Sequence, residues 1–346
     1  MDDDHGNDGS VHPPRGEEVE VRRYEFEVAG RHEGRRLDAY LAGRFPDYSR
    51  TFIQELIKNR HITVNGRPVR PSYSPSRGDT VVALVPMRRH EEVPPEDIPL
   101  QVLFEDRWLV VVNKPPDLVV HPSRGHQTGT LVNALVHRFQ HLSGLRGPLK
   151  PGIVHRLDRD TSGVILVIKD EAVHEKIARQ FEHRQVTKEY VAVCEGRLEL
   201  DSDLIDAPIG SDPRAREKMA VRQSAGRPAR TVYQVVERIG PFTIVRCFPQ
   251  TGRTHQIRVH LQFIGHPIVA DSLYGRRDAV YLSDLTGGEH PPEEEPLLHR
   301  QALHARRLTI RHPVRQEQMT FEAPMPADML RLVEALRQAR ESGQTP

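Results

Sequence analysis

Residues 151–170, PGIVHRLDRDTSGVILVIKD, constrain this chain more than any other stretch. Two apolar runs, Ile153–Val154 and Val164–Ile168, read as strands. Between them lie five ionisable groups, two hydroxyls and a glycine in nine residues, His155 to Gly163. Burying both runs brings the charged segment out at a strand junction, either as a solvated turn or as a site. A carboxylate buried there needs a partner, or its pKa rises. Asp158 and Asp160 are rival candidates, and neither charge nor periodicity ranks them.

Around this stretch the pattern is mixed. Leu37 and Leu41 lie one helical turn apart, and SRTFIQELIKNR follows with Ser49 as N-cap and Phe52, Ile53, Leu56 and Ile57 on one face. HITVNGRPV reads strand, Asn-Gly turn, strand, and GDTVVALVP adds a further strand. HEEVPPEDIPL reads as a linker. RWLVVVNKPPDLVVHPS reads strand, turn, strand, and a helix enters at Thr130. Val173, Ile177 and Phe181 mark the next helix, TKEYVAVCEG a strand, and ARTVYQVVERIGPFTIVRCFPQ a hairpin turned at Gly240-Pro241. RTHQIRVHLQFIG reads as a helix with Ile257, Leu261 and Ile264 inward and Gly265 ending it. Two closing strands and a terminal helix over 327–341 follow. Hairpins predominate and no regular βαβ beat appears, so an α+β fold with a mixed, mainly antiparallel sheet is expected.

The division expected is an acidic disordered tail (1–22), a small α/β unit (23–88), a linker (89–100) and a larger domain (101–346). Residues 276–300 read as a flexible acidic insertion. The overall charge of +1 hides asymmetry. Residues 1–20 hold seven acids and one arginine, residues 31–90 twelve bases and five acids, and residues 211–260 ten bases and three acids. Two basic regions in a nearly neutral chain suggest a polyanionic partner. No apolar run long enough to span a membrane occurs, and the N-terminus lacks a signal-peptide pattern. Cys194 and Cys247, the two cysteines, each sit in an apolar run and read as buried free thiols of a cytoplasmic protein.

Familiar chemistries find no motif. There is no dinucleotide or phosphate-loop glycine pattern and no nucleophile elbow around Ser162. No histidine spacing suits a metal. Neither cofactor nor metal is therefore expected. What stands out is polar residues in apolar elements: Asp158 and Asp160, Tyr190 in a strand, and Arg258 in a helix built to pack. An arginine facing a loop aspartate would keep a single carboxylate ionised.

Together, HRLDRDTSG (155–163), NKPPDLVVHPSRGHQTGTLVNAL (113–135), KEYVAVCEG (188–196) and TGRTHQIRVHLQFIGHPIVADSLYG (251–275) resemble, in order and spacing, the motifs of RluA/RluD-type pseudouridine synthases. REKMAV (216–221) and RPARTVYQVVE are similar to the subgroup that modifies large-subunit ribosomal RNA. Arg35, Leu37, Asp38, Ser49, Arg50 and Val64-Asn65-Gly66 resemble the RNA-binding module named for the fourth small-subunit ribosomal protein. The resemblance implies Asp158 as the catalytic aspartate, Arg258 as its basic partner and Tyr190 as the ring that stacks on the target base. It implies Arg156 as the residue that fills the place of the flipped nucleotide. His155, Lys114, Arg253, His255 and Gln256 would lie on the RNA-binding surface of the catalytic domain, and Arg35 and Arg50 on that of the N-terminal module. One departure is Ala270, where the family usually shows glycine.

A monomeric enzyme is implied, with ribosomal RNA as its substrate and transfer RNA as the alternative. Two rivals are a non-catalytic RNA-binding protein and a glycosidase-like hydrolase. The second would ordinarily need another carboxylate as acid/base.

Overall fold

The computed structural model describes residues 21–343, except 31, 32, 46, 47, 49, 87–92, 123–126, 146, 148, 216, 287–290 and 292. The acidic tail over 1–20, the Ser49 cap and the first part of the linker lie outside the described residues. The chain divides into two compact units, residues 1–91 and 92–346.

The first unit holds β1 (Val21–Glu27), α1 (Leu37–Arg44), α2 (Arg50–Lys58), β2 (Ile62–Val64), β3 (Arg67–Pro68) and β4 (Thr80–Pro86). Its antiparallel sheet runs β1-β4-β2-β3. Leu37, Leu41, Ile53 and Ile57 on the helices pack against Ile62 and Val81. Asn65 and Gly66 turn the β2–β3 hairpin with φ of 50° and 71°, the positive angles such a two-residue turn requires. Val21 and Arg22, expected in the tail, belong to β1, because that strand pairs with β4 along its whole length.

The second unit contains β5 (Gln101–Glu105), β6 (Leu109–Lys114), α3 (Leu131–Arg138), β7 (Ser162–Ile168), α4 (Glu171–Glu182), β8 (Thr187–Glu195), β9 (Ser202–Asp206), β10 (Ile209–Ser211) and β11 (Met219–Val221). It continues with β12 (Arg230–Ile239), β13 (Phe242–Pro249), α5 (Gln256–Phe263), α6 (Leu282–Thr286), β14 (Leu303–Arg311), β15 (Gln318–Glu322) and α7 (Ala327–Glu341). The main sheet runs β5-β6-β7-β14-β8-β13-β12-β9, with β15 beside β14. Its ladders are antiparallel except for the short β7–β14 pairing. The fold is α+β with a mixed, mainly antiparallel sheet.

Every residue of β7 is buried. Its two faces pack differently, as strand alternation demands. Ile165 and Val167 meet Leu131 and Leu135 of α3, while Val164, Leu166 and Ile168 meet Val173 and Ile177 of α4. On the other half of the sheet, α5 and α7 bring Leu261, Leu332 and Leu336 onto Val193 and Val245.

Some expectations are corrected. Ile153–Val154 is an isolated bridge to Val167, and the stretch after Lys-Pro-Pro makes one bridge, Val119 to Thr130. Residues 93–100 are not a free linker: Val93 and Leu100 are buried in the core beside α3, and the Asn133 amide donates to the Pro94 carbonyl at 2.8 Å. The described residues of the 276–300 insertion are anchored by their apolar side chains. Val280, Leu285 and Leu298 are fully or almost fully buried, and Val280 bridges Leu298.

The β7–β14 junction places the charged loop. Ser162 and Gly163 pair with His304 and Ala305. Gly163 has φ of 116°, and a Cβ there would lie 2.1 Å from the Ala305 carbonyl oxygen. Backbone cannot yield to that contact. Gly163→Ala is therefore expected to cost more than about 4 kcal/mol of stability, read as the shift of the denaturant midpoint.

Candidate active site

The loop from His155 to Thr161 leaves the sheet where β7 begins, and four contacts hold it, three of them to its backbone. Lys114 donates to the Arg159 carbonyl at 2.7 Å. Arg300 donates to the Asp160 carbonyl at 3.0 Å, and Asp328 holds Arg300 through two bonds of 2.7 and 2.9 Å. Gln301 reaches the Thr161 hydroxyl at 3.3 Å, and the Thr161 amide donates to the Asp158 carbonyl at 3.1 Å. Asp158 is thereby set at the floor of a cleft of about 950 Å³, lined also by Tyr190, Leu157, Ile257 and Leu303.

Arg258 comes from α5, one hundred residues away in sequence. Its Nη1 donates to Asp158 Oδ2 at 3.0 Å. The rest of its guanidinium is held by Asp271, with Nε to Oδ2 at 2.7 Å and Nη2 to Oδ1 at 2.8 Å. Arg258 and Asp271 are buried, while the Asp158 side chain keeps 20% of its surface open. Burial alone would lower the Arg258 pKa, but its bonds and charge interactions with Asp271 and Asp158 outweigh it and raise the pKa. The guanidinium is a fixed cation shared by two carboxylates, and only Asp158 faces the cleft.

Asp271 escaped the sequence reading. The backbone amides of Leu273 and Tyr274 also donate to its Oδ1. Ala270, just before it, has φ of 55°. A side chain in this left-handed region costs about 1–2 kcal/mol, which is why glycine suits this position, and it marks the turn that aims Asp271 at Arg258.

His255 precedes α5 with φ of 55°. Its Nδ1 lies 2.8 Å from the Tyr274 hydroxyl, and its Nε2 lies 4.0 Å from Asp158 Oδ1. Burial lowers its pKa, partly offset by Asp158. Tyr190 is half-buried on β8 and lines the cleft. Burial, then the charge of Asp158, raises its pKa, so it remains a neutral phenol. Arg156 is exposed and lines the cleft, as does the half-buried Arg253. Arg253 also donates to the Pro228 carbonyl at 3.1 Å.

Three residues expected at the RNA surface have their polar atoms engaged within the fold, although His155 and Gln256 also line the cleft. Lys114 is fully buried. Its ammonium donates to the carbonyls of Pro115, Leu118 and Arg159 at 2.7, 2.9 and 2.7 Å, leaving no donor for a phosphate. Burial pushes its pKa down to about 7, against the pull of Asp160. Gln256 is buried with both ends satisfied: its Oε1 accepts from Thr251 Oγ1 and the Arg253 amide, and its Nε2 donates to the Arg230 carbonyl and Thr231 Oγ1. His155 accepts the Leu166 amide at Nε2 and stacks on Phe181 at 4.8 Å. Burial first, then Lys188, pushes its pKa down to about 3, so it carries no charge to RNA. Lys114→Met leaves three carbonyls without their donor. It should cost about 3 kcal/mol of stability and displace the loop of Asp158, read as a lower melting temperature together with a lower kcat.

In the first unit Arg35 is exposed. Arg50 and Arg36 are half-exposed and both grip the buried Asp38, at 3.1 and 3.0 Å. Gln54 joins them. Asp38 is held well below the usual carboxylate range, chiefly by Arg36.

The family model described as RNA pseudouridylate synthase matches residues 108–263, and the S4 domain model matches residues 35–81. The uncharacterized RNA pseudouridine synthase YlyB of Bacillus subtilis (strain 168) is 43% identical over 302 residues, 87% of this chain and 94% of its own. Ribosomal large subunit pseudouridine synthase D of Escherichia coli (strain K12) is 38% identical over 312 residues, 88% of this chain and 91% of its own. Among solved structures, human RNA pseudouridylate synthase domain containing 4 superposes with a TM-score of 0.52 at 26% identity, covering 68% of this chain and 93% of that one. Likeness that runs the length of both chains, over the same fold and with Asp158 and Arg258 inside the matched span, shows that this chain belongs to the RNA pseudouridine synthase family.

Proposed function

We propose that this protein converts uridine to pseudouridine in large-subunit ribosomal RNA, with Asp158 as the catalytic carboxylate. The observation that carries the reading is the array Asp158–Arg258–Asp271 at the floor of a cleft walled by Tyr190. The choice of RNA is supported by relatives named ribosomal large subunit pseudouridine synthase D.

The reaction breaks the bond from ribose C1′ to uracil N1, turns the ring and joins C1′ to C5. The C5 proton leaves and N1 gains one, so no atom or electron is added overall. The target nucleotide must leave the stack, at a cost of a few kcal/mol. Tyr190 offsets part of that by stacking, about 1–3 kcal/mol, and exposed Arg156 fills the vacated place. Attack on C1′, addition at C6 and abstraction of the 2′ proton all start from an ionised carboxylate, which Arg258 maintains. A hydrolase using two carboxylates fits less well, because Asp271 is fully buried and bound to Arg258. In the first unit, Arg35, Arg36 and Arg50 would meet RNA phosphates.

We place the reaction in the cytoplasm, where the buried thiols of Cys194 and Cys247 stay reduced. Among the described residues no helix is long and apolar enough to cross a membrane. Mapping pseudouridine in ribosomal and transfer RNA from a strain lacking the gene tests the substrate. Loss confined to transfer RNA overturns this choice.

A further inference from the structure

Lys188 lies on β8 two residues before Tyr190, so both side chains leave the same face of the strand, and both line the cleft. Its Nζ donates to the Thr251 carbonyl at 3.0 Å. An ammonium has three N–H donors, so this contact does not satisfy it. Among the described residues no carboxylate pairs with it. Other cations withdrawn from water here are compensated: Arg258 by Asp158 and Asp271, Arg300 by Asp328, and Lys114 by three carbonyls. Burial alone pushes the Lys188 pKa down to about 8. A cation kept partly out of water without a counter-ion is costly unless a ligand supplies the anion.

Space for that anion lies beside it. Gly252 is exposed, and a Cβ built there would meet one described atom within 4 Å, Lys188 Nζ at 3.9 Å. An opening therefore adjoins the ammonium on the wall formed by Thr251 and Gly252. Uracil and ribose are neutral in the ground state, whereas every RNA linkage carries one negative charge. The donor geometry, the missing counter-ion and the opening match a phosphodiester.

We propose that Lys188 is a phosphate-binding residue of the cleft, taking the backbone phosphate of the flipped-out nucleotide. The inference rests on the pseudouridine synthase reading and adds a subsite to it. Its role is binding: it holds the extruded nucleotide so that its base lies on Tyr190.

The test uses the full chain and a stem-loop oligonucleotide from large-subunit ribosomal RNA around the uridine that the wild type converts. Lys188→Met should weaken binding about tenfold. It should also reduce the slope of log affinity against log salt by about one. Lys188→Arg should restore both affinity and slope. A single methylphosphonate at the target phosphate should weaken the wild type by the same factor and leave Lys188→Met unaffected. Gly252→Leu, which fills the opening, should behave like Lys188→Met. An unchanged salt slope, or a fall in kcat with binding intact, overturns the inference while wild-type turnover leaves the enzyme assignment standing. A wild type that forms no pseudouridine in ribosomal or transfer RNA overturns that assignment, and the subsite with it.

Discussion

Asparagine at position 158 should abolish pseudouridine formation, with a loss of at least about 10⁴-fold, while RNA binding and folding survive. The side chain keeps its shape and loses its charge. Arg258 keeps its two-bond grip on Asp271, so no buried cation is stranded and stability should change by less than about 1 kcal/mol. Release of tritium from RNA labelled at uracil carbon 5 measures turnover, and filter binding measures affinity. Normal turnover by this variant would remove Asp158 from the chemistry.

Asparagine at position 271 should cost stability as well as turnover. Arg258 would lose two of its three carboxylate bonds, and an amide NH₂ would face its N–H groups. Breaking a buried pair from one side costs about 3–5 kcal/mol. The guanidinium would also swing from the position that fixes Asp158, and misplacement of that order lowers kcat about 10²-fold. Thermal denaturation together with kcat and KM reads both effects. A stability near wild type would show that Asp158 alone anchors Arg258. The contrast separates a residue that meets substrate from one that positions it.

The sequence made some of this visible and concealed the rest for identifiable reasons. The terminal helix was legible to its ends, 327–341, as was the entry of α3 at Thr130, whose hydroxyl caps it. Asp158 and Asp160 could not be ranked by charge; the motif pattern chose Asp158. In the structure Asp158 lies in the cleft, while Asp160 pairs with its neighbour Arg159 at 3.2 Å and lends its carbonyl to Arg300. Lys114 was placed at the RNA surface by the motif resemblance, and it stands before two prolines at a strand end. The following loop folds back over it, which no local pattern announces. The hydrogen-bonded role of Gln256 was hidden because α5 is not amphipathic in the ordinary sense. Every residue from Gln256 to Leu261 is buried, so the polar ones answer to buried partners rather than solvent. The signal for Asp271 was Ala270 in place of glycine: a position that favours glycine marks a constrained turn, and a carboxylate follows it. The strands β10 and β11, three residues each, are too short for alternation to declare them.

The central claim, that Asp158 makes pseudouridine in large-subunit ribosomal RNA, is tested most directly by complementation. Large-subunit RNA is mapped from cells lacking the gene and carrying either the wild-type gene or Asp158→Asn at equal expression. The account predicts pseudouridines that vanish on deletion, return with the wild type and stay absent with Asp158→Asn. Their return with Asp158→Asn would contradict it.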